Sequence, residues 1–518
     1  MSNQQSERVN TWAKPEVAIV GAGIAGLLLG QLLEQIDVPY HIYERAATVK
    51  PLGIRKFFVC FIIDNMSQMP IESIRDMLDE LKRFALPCHT AEVYNDKIEK
   101  LGYFDMTGLD KLYETGENKP NGEGKEDTAQ TKEYWSPQKL TASSLVAVCV
   151  RRVFLSLGTQ NMIFARPRLY EMMLGRIPPH KIRHEKKIIR TEEKGNRIHI
   201  HCSDNTSYEA DLLVGADGAY SGVRQSLYKR LDEQGLLPPS DLERLAVASI
   251  NMVGVAVPED PAKYPELKDK FCHFSVVVGG SGGRSWGAAS TPDNQICWSL
   301  IKQLSESEAQ SLQFRNSEWG PESVDAMYKE YEDFLGPWGG TMGEMMKDTP
   351  KDQISKVFLE EKLFTTWYGG RTVLIGDGAV NAMHDAVVLA NAIYNMTDVS
   401  SGSITKAFEE YYSQRYHRLD SQIQRSKSLT AVMGGQTWFQ RLTRHIFLNY
   451  IPKWLSDKDF VTSMEYRPQV AWLPLIPNRG TGHVLPQEGE RELLKDRIKR
   501  LEQQHQHGSA SVGQANVV

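Results

Sequence analysis

The sequence lacks three features that would each point to a particular class of protein. Its six cysteines are far apart in 518 residues, and none forms a Cys-x-x-Cys pair. Neither a zinc site nor a disulfide framework is indicated, so a reducing compartment is the simplest expectation. The net charge of −5 gives no reason to expect a nucleic-acid partner. No apolar run has the length of a membrane span, and the polar first residues contain no signal-peptide core. We therefore expect a cytoplasmic protein.

The composition is that of an ordinary globular chain. Hydrophobic residues make up 41% and charged residues 24% of it. A chain of this length is too long for one compact core, so two or three domains are expected.

The strongest local pattern lies in residues 17–45. A β-branched run, Val17–Val20, predicts a buried strand, and a leucine-rich helix and a second strand ending at Glu44 follow. Between the first strand and the helix stand three glycines at the spacing G-x-G-x-x-G: Gly21, Gly23 and Gly26. The first permits a tight turn, the second lets a pyrophosphate approach the backbone, and the third lets the helix pack closely on the strand. The alternative is a glycine-rich turn in an unrelated α/β unit.

The elements around these glycines predict the rest of a dinucleotide site. The N-terminus of the helix offers N–H groups and the positive end of its dipole to phosphates. Glu44 can accept both hydroxyls of an adenosine ribose. Arg45 is either a surface residue or a phosphate contact.

Three further sites could contact the same cofactor. In residues 212–224 a strand delivers Asp217 to a turn, where it can hold the turn or a cofactor hydroxyl. In residues 372–394 a strand ends in Asp377, and Gly378 and Ala379 could direct N–H groups at the cofactor from the start of a helix. The alternative is that both aspartates simply cap helices.

The remaining candidates are single side chains. Arg166, before Pro167 at the start of a helix, could neutralise a phosphate. Tyr220 is the candidate catalytic residue because it lies in a loop next to the predicted cofactor, although loop aromatics are usually packing or surface residues. His384 has no ligand partner at a suitable spacing, so we expect it to face solvent or a neighbouring helix rather than a metal.

Together these motifs resemble the FAD-dependent aromatic-hydroxylase-like monooxygenases, the single-component flavoproteins. The glycine motif with Glu44 is similar to the ADP site of that family, GADGAYSGVR to its DG motif, and IGD with the following helix to its GD motif. The last block, with FARP and RPQVAWLPLIPNRG, is most similar to fungal paxilline-type epoxidases of indole-diterpene and meroterpenoid pathways. The resemblance covers most of residues 14–485. It implies an α/β fold with a discontinuous Rossmann-type FAD-binding domain, an inserted mixed β-sheet substrate domain and a helical C-terminal extension.

The resemblance also implies the chemistry. FAD would lie extended, with its adenosine on Glu44 and its pyrophosphate on the glycine loop and Arg166. The other implied cofactor contacts are Gly53, Asp217, Asp377, Gly378 and Ala379. NADPH or NADH would reduce the flavin without a Rossmann unit of its own, and molecular oxygen would supply one atom to a lipophilic small molecule by hydroxylation or epoxidation. No charged catalytic residue is required.

The resemblance and the composition divide the chain into segments. The predicted segments are 1–13, disordered; 14–234, the first part of the FAD-binding domain; 235–360, the substrate domain; 361–425, the return of the FAD-binding domain; 426–504, helical; and 505–518, disordered. Residues 105–157 form an irregular insert of polar composition. We hypothesise that this insert and residues 54–70 arise from retained or skipped exon sequence.

The GD motif departs from the family pattern. In the family a loop with a His, a Pro and a Gly-Gln pair precedes the glycine that opens the helix, whereas Asp377 here runs directly into Gly378. Either the helix loses its first turn to make a loop, or the flavin ring loses a wall. Two alternatives therefore stand beside a monooxygenase: a flavin dehydrogenase or reductase of the same fold, and an inactive flavoprotein-like scaffold.

Residues 437–454 predict an amphipathic helix. Four apolar side chains recur at every fourth position: Trp438, Leu442, Ile446 and Tyr450. Such a helix could rest on an intracellular membrane and draw a lipophilic substrate from the bilayer. The alternative is a helix packed against its own domain.

Overall fold

The protein is described by a computed structural model. The described residues are 14–47, 75–105, 162–243, 247–279, 283–305, 308, 321–351, 354–360, 362–376, 379–434, 437–449 and 468–473. The predicted disordered termini, residues 54–70 and almost all of the predicted insert lie outside these ranges.

The described strands and helices alternate along the chain. The strands are β1 (Val17–Val20), β2 (Tyr40–Tyr43), β3 (Ala85–Asn95), β4 (Lys100–Asp105), β5 (Met162–Phe164), β6 (Ile182–Arg183), β7 (Ile188–Lys194), β8 (Arg197–Cys202), β9 (Ser207–Ala210), β10 (Leu212–Gly215), β11 (Val247–Ala256), β12 (Cys272–Val278), β13 (Arg284–Thr291), β14 (Gln295–Gln303), β15 (Ser355–Glu360), β16 (Tyr368–Gly369) and β17 (Thr372–Leu374). The α-helices are α1 (Ile24–Gln35), α2 (Arg75–Arg83), α3 (Arg166–Gly175), α4 (Gly222–Glu233), α5 (Pro239–Leu242), α6 (Pro321–Tyr331), α7 (Met342–Met346), α8 (Ala379–Tyr394), α9 (Ser401–Gly434) and α10 (Trp438–Asn449). Short 3₁₀ turns occur at Pro179–Lys181, Pro261–Lys263 and Pro265–Lys268.

A six-stranded sheet contains the predicted dinucleotide motif. Its strand order is β16–β17–β10–β1–β2–β6, and every pairing is parallel except that of β16 with β17. All four residues of β1 and all four of β10 are buried. Strands covered on both faces are apolar throughout, which explains the continuous β-branched run at residues 17–20. The Rossmann-like α/β fold predicted for this part of the chain is confirmed.

The core of this domain is built around α1. Ten of the twelve residues of α1 are buried, because the helix is enclosed by the sheet and by α3 and α8. Gly30 makes the close approach possible: a Cβ there would lie 3.1 Å from side-chain atoms of both Tyr40 and Ile42. A helix that is apolar on all sides belongs in the interior, and this places the start of α1 at the edge of the sheet.

A second, mixed sheet covers the predicted substrate domain. Its order is β15–β11–β14–β13–β12–β3–β4, with β5 beside β3, and only β12 and β3 pair in parallel. The sheet includes β12, β13 and β14, which the sequence predicts as strands of a separate sheet. It also takes in residues 85–105 and 162–164, which the predicted boundaries assign to the FAD-binding part. The burial pattern of β3 is irregular, so its sequence carries little strand signal.

Two smaller features complete the fold. Strands β7, β8 and β9 form an antiparallel sheet with turns at the predicted Gly195 and Asn205, which have φ values of +60° and +65°. Helix α9 runs through the predicted boundary at residues 425/426 as a single helix of 34 residues. None of the described helices is long and apolar enough to cross a membrane.

Candidate functional site

The glycine loop between β1 and α1 depends on two close backbone contacts. Gly21 has a φ of +106°, and a Cβ there would lie 2.5 Å from the carbonyl oxygen of Ala216. A Cβ on Gly26 would lie only 2.0 Å from the carbonyl oxygen of Gly21. Neither position can hold a larger residue without moving the backbone, so these two glycines fix the turn and the approach of the helix.

The third glycine faces open space. A Cβ on Gly23 would meet nothing closer than the carbonyl oxygen of Ala216, at 3.9 Å. Gly23 is also the N-cap residue of α1, and no side chain of the described residues accepts a hydrogen bond at this helix end. The first-turn N–H groups and the positive end of the helix dipole are therefore left for an anionic group.

Glu44 closes this opening from the neighbouring strand. Its Oε2 accepts a hydrogen bond from the N–H of Ala22 at 2.9 Å, and its Oε1 accepts one from the N–H of Ala46 at 3.0 Å. A carboxylate has about four acceptor sites, so each oxygen can accept one further hydroxyl, which matches the two hydroxyls of a ribose. Arg45 is exposed.

Helix α3 supports the loop from the other side. The hydroxyl of Tyr170 donates to the carbonyl oxygen of Ala22 at 2.6 Å. Burial, with the charge of Glu44 as a smaller cause, raises the pKa of Tyr170 far above its usual value, so the hydroxyl stays a neutral donor. Arg166 is the first residue of this helix, one turn before Tyr170, and Pro167 lies in the first turn as predicted. The side chain of Arg166 and the whole of Gly53 lie outside the described part of the chain.

Asp217 has local partners at the start of α4. Its carboxylate accepts hydrogen bonds from the hydroxyl of Ser221 and from the N–H groups of Gly222, at 2.7 Å, and Val223, at 3.4 Å. Ser221 in turn accepts the N–H of Arg224 at 2.9 Å. Burial raises the pKa of Asp217, and these donors act in the opposite direction. The capping alternative therefore describes the contacts of Asp217, and its contact with a cofactor stays a prediction.

A cavity of about 110 Å³ lies beside the carboxyl ends of β10 and β17. Its walls include Gly218, Ser221 and Arg224 from the DG motif, with apolar side chains from the segment before β16 and from α9. The Arg224 guanidinium stacks 4.3 Å from the ring centre of Phe364, another wall residue. Tyr220 is half-buried in the loop between Gly218 and α4.

A buried ion pair, which sequence reasoning misses, forms one wall of the cavity. Asp385 accepts a hydrogen bond from Nε of Arg415 at 2.7 Å and another from the N–H of Gly376 at 3.1 Å. Arg415 is 0% and Asp385 2% exposed, and Nη2 of Arg415 also donates to Oδ1 of Asn381 at 3.2 Å. The pair joins the end of β17 to α8 and α9.

His384 lies next to this pair and is also buried. Burial, together with the charge of Arg415, lowers its pKa well below the usual 6.5, so the imidazole is neutral. The described residues contain no group of three or more His, Cys, Asp or Glu side chains that could hold a metal ion. The four described cysteines (Cys88, Cys202, Cys272 and Cys297) are free and buried.

The GD segment connects β17 to α8 by a short link. Strand β17 ends at Leu374, Gly376 has a φ of +105°, and the helix begins at Ala379. The helix therefore starts two residues before the predicted Asn381, and the predicted loss of its first turn is not observed. Asp377, Gly378 and the side chain of Ala379 lie outside the described residues.

These features define a class of protein. A buried parallel strand, a glycine turn, a helix without a side-chain cap and an acid on the adjacent strand form the phosphate- and ribose-binding edge of a dinucleotide-binding α/β domain.

Comparisons with known proteins identify the family. No family model matches the chain. It is 23% identical over 475 residues to the FAD-dependent monooxygenase esdpE of Penicillium shearii, covering 84% of this chain and 81% of that protein. It is 26% identical over 455 residues to the FAD-dependent monooxygenase ptmM of Penicillium ochrochloron, covering 83% and 91%. Among solved structures, it resembles Klebsiella pneumoniae HpxO in complex with FAD and uric acid, with a TM-score of 0.62 and 16% identity over 88% of this chain and 98% of that one. It also resembles FqzB, with a TM-score of 0.56 and 16% identity over 88% and 96%. The structural likenesses show a shared fold.

The chain belongs to the FAD-dependent monooxygenases, and FAD is the cofactor of this family.

Proposed function

We propose that this monooxygenase uses NADPH or NADH and inserts one atom of molecular oxygen into a lipophilic small molecule of fungal secondary metabolism, by hydroxylation or epoxidation. The observation that carries the proposal is the open start of α1 beside Glu44. It provides an anion site and a diol acceptor next to each other, as an adenosine diphosphate group requires. The sequence contains no second G-x-G-x-x-G motif, which is consistent with a nicotinamide cofactor that binds without its own Rossmann unit.

The residues of the chain fit FAD at this edge of the sheet. The first-turn N–H groups of α1 would hold the pyrophosphate, and the free acceptor sites of Glu44 would hold the adenosine ribose. Arg166 would add a positive charge near the phosphates. When bound and reduced, the flavin supplies the oxygen-transfer chemistry. The protein contributes binding, orientation and the exclusion of water.

The cavity supports a lipophilic substrate. Leu363, Phe364, Trp367, Ile375 and Leu419 are among its wall residues. An apolar wall favours an apolar ligand and keeps water away from the reacting atoms. Tyr220 remains the candidate catalytic residue, as a neutral hydrogen-bond donor to substrate in the loop between Gly218 and α4.

The short link between Gly376 and Ala379 favours one alternative, an inactive flavoprotein-like scaffold. Only two residues connect the strand to the helix, where the family places a loop against the flavin ring. A flavin dehydrogenase or reductase of the same fold is the other alternative.

Two measurements on the purified full-length chain separate these functions. An absorbance scan and the release of adenine dinucleotide on boiling test cofactor binding. NADPH oxidation in an oxygen electrode, with a lipophilic substrate panel and mass detection of a product 16 mass units heavier, tests oxygen insertion. A colourless, folded protein that takes up no FAD would overturn the proposal in favour of the scaffold. Electron transfer without incorporated oxygen would establish the reductase.

A further inference from the structure

Helix α10 carries a cluster of exposed apolar side chains. Trp438 is 70%, Phe439 62%, Leu442 46% and Ile446 43% exposed. At 100° per residue these four positions fall within an arc of about 100° on the helix. The opposite side packs on α9 and β4, and there Arg444 is buried. The helix thus contacts its own domain with its polar side and presents its apolar side outward, which is the reverse of an ordinary surface helix.

The charge around this helix is opposite in sign to that of the whole chain. No aspartate or glutamate occurs between Asp420 and Asp457. The same stretch contains five cationic side chains: Arg425, Lys427, Arg441, Arg444 and Lys453. On α10 itself, Arg441 is exposed and lies beside the apolar arc. A chain with a net charge of −5 therefore has a locally basic region where its apolar side chains are most exposed.

We propose that α10 lies flat on a membrane surface that contains anionic lipids. The apolar arc enters the boundary between headgroups and acyl chains, and Arg441 faces the lipid phosphates. Trp438 suits this position because its ring is apolar and its N–H can still bond to the headgroup layer. The helix of 12 residues is about 18 Å long, so it is too short to span the bilayer and is suited to an interfacial position.

Charge complementarity distinguishes the membrane from the two other possible occupants of this face. A second copy of the chain would bring the same cations against Arg441, at an unfavourable electrostatic energy. A segment of the chain itself would cover the arc without any need for the surrounding basic residues. An anionic lipid surface matches both the apolar arc and the charge.

Vesicle flotation tests the proposal with the full-length protein. Vesicles of phosphatidylcholine with phosphatidylserine should carry the wild-type protein upward, and pure phosphatidylcholine vesicles should carry about tenfold less. The variant Trp438→Ser/Phe439→Ser should lose binding about tenfold or more, because it removes the two most exposed apolar side chains of the arc. Arg441→Gln, or 0.5 M salt with the wild type, should weaken binding further in the same direction.

The matched control is Leu236→Ser/Val257→Ser, which removes two exposed apolar side chains elsewhere on the surface. It should float like the wild type. Equal flotation of wild type and Trp438→Ser/Phe439→Ser would overturn the proposal, as would the absence of any vesicle binding. A change from dimer to monomer in the Ser variant, with no vesicle binding by either protein, would assign the face to a second copy. These outcomes do not depend on FAD content or turnover, so the proposed function stands or falls separately.

Discussion

The starts of α1 and α4 are built alike and end differently. Both follow neighbouring buried strands, β1 and β10, which pair in parallel from Val17 with Leu212 to Val20 with Gly215. Both turns contain a glycine with positive φ, +106° at Gly21 and +79° at Gly218. Yet α4 is capped by Asp217 and Ser221, whereas α1 has no described side-chain cap.

The difference shows how one sheet edge divides its tasks. At α4 the protein satisfies its own N–H groups, so the acid of the DG motif builds the loop. At α1 the N–H groups are left to a ligand, and the acid comes from β2 instead, where Glu44 holds the turn through Ala22 and retains free acceptor sites. Substitutions at one start should therefore change cofactor affinity, and substitutions at the other should change stability.

The largest effect is expected for Gly26→Ala. The new Cβ would lie 2.0 Å from the carbonyl oxygen of Gly21, so the helix must move away from the loop. We expect complete loss of the flavin absorbance and a fall in the free energy of unfolding of about 1–3 kcal/mol or more. Gly175→Ala is the control, because a Cβ there meets nothing within 4 Å. A yellow Gly26→Ala protein would show that the loop does not bind the cofactor in this form.

The third helix start, at α8, extends the comparison through Arg415→Ala. This change leaves the buried carboxylate of Asp385 without its cationic partner, which in buried pairs costs about 3–5 kcal/mol of unfolding free energy. Arg418→Ala, exposed on the same helix, should cost well under 1 kcal/mol. Urea unfolding measures both. If Arg415→Ala costs no more than Arg418→Ala, the ion pair does not hold this start together.

Glu44→Ala should change affinity more than stability. It removes charge-assisted hydrogen bonds worth about 1.5–3 kcal/mol, so the Kd for FAD should rise about 10- to 100-fold in fluorescence titration. Glu233→Ala, an exposed carboxylate at the end of α4, is the control and should bind FAD like the wild type. An unchanged Kd in Glu44→Ala would exclude Glu44 from the ribose site.

Ser221→Ala should show the reverse pattern. It removes the cap of α4 and the hydroxyl donor to Asp217, with an expected loss of about 1 kcal/mol in unfolding free energy. The Kd for FAD should change less than in Glu44→Ala. The comparison between the two starts fails if Ser221→Ala weakens FAD binding as strongly as Glu44→Ala and leaves the stability unchanged.

The smallest effect concerns pH and the neutral imidazole of His384. Its pKa is lowered in the folded protein, so between that value and 6.5 the unfolded chain binds more protons, and stability falls as the pH decreases. From pH 6.5 to 6.0 this single group accounts for about 0.7 kcal/mol or less. His384→Gln should remove that part of the slope, and His417→Gln, exposed on α9, should not. Identical slopes in the two variants would contradict a buried neutral His384.

The sequence predicts the backbone geometry of the site better than its tertiary contacts. The glycine roles follow from spacing alone, because steric limits on a turn are local. Asp217 has partners four to six residues away, so both of its predicted roles can be stated beforehand. The bond between Asp385 and Arg415 joins helices that the sequence separates by thirty residues, and it was missed. A signal does exist: Arg415 stands in an otherwise apolar stripe of α9, among Ile404, Phe408, Tyr411 and Leu419. A charge at such a position requires a buried partner.

The pairing of β3 with β12 could not be predicted for a similar reason. The two strands lie side by side in parallel, yet almost 180 residues separate Cys88 from its partner Cys272. Local pattern identifies strands and does not identify their neighbours. The predicted boundary at residue 235 therefore divides a sheet that the fold keeps whole.

Helix α9 gives the molecule a mechanical link between chemistry and surroundings. Its 34 residues form a rod about 51 Å long. Tyr411 and Leu419 on its first half line the cavity, and its far end leads into α10 after a gap of three residues. A force applied to that far end is transmitted along an unbroken hydrogen-bonded helix to the wall of the pocket. Whatever α10 rests against can thus shift the space in which the substrate is held.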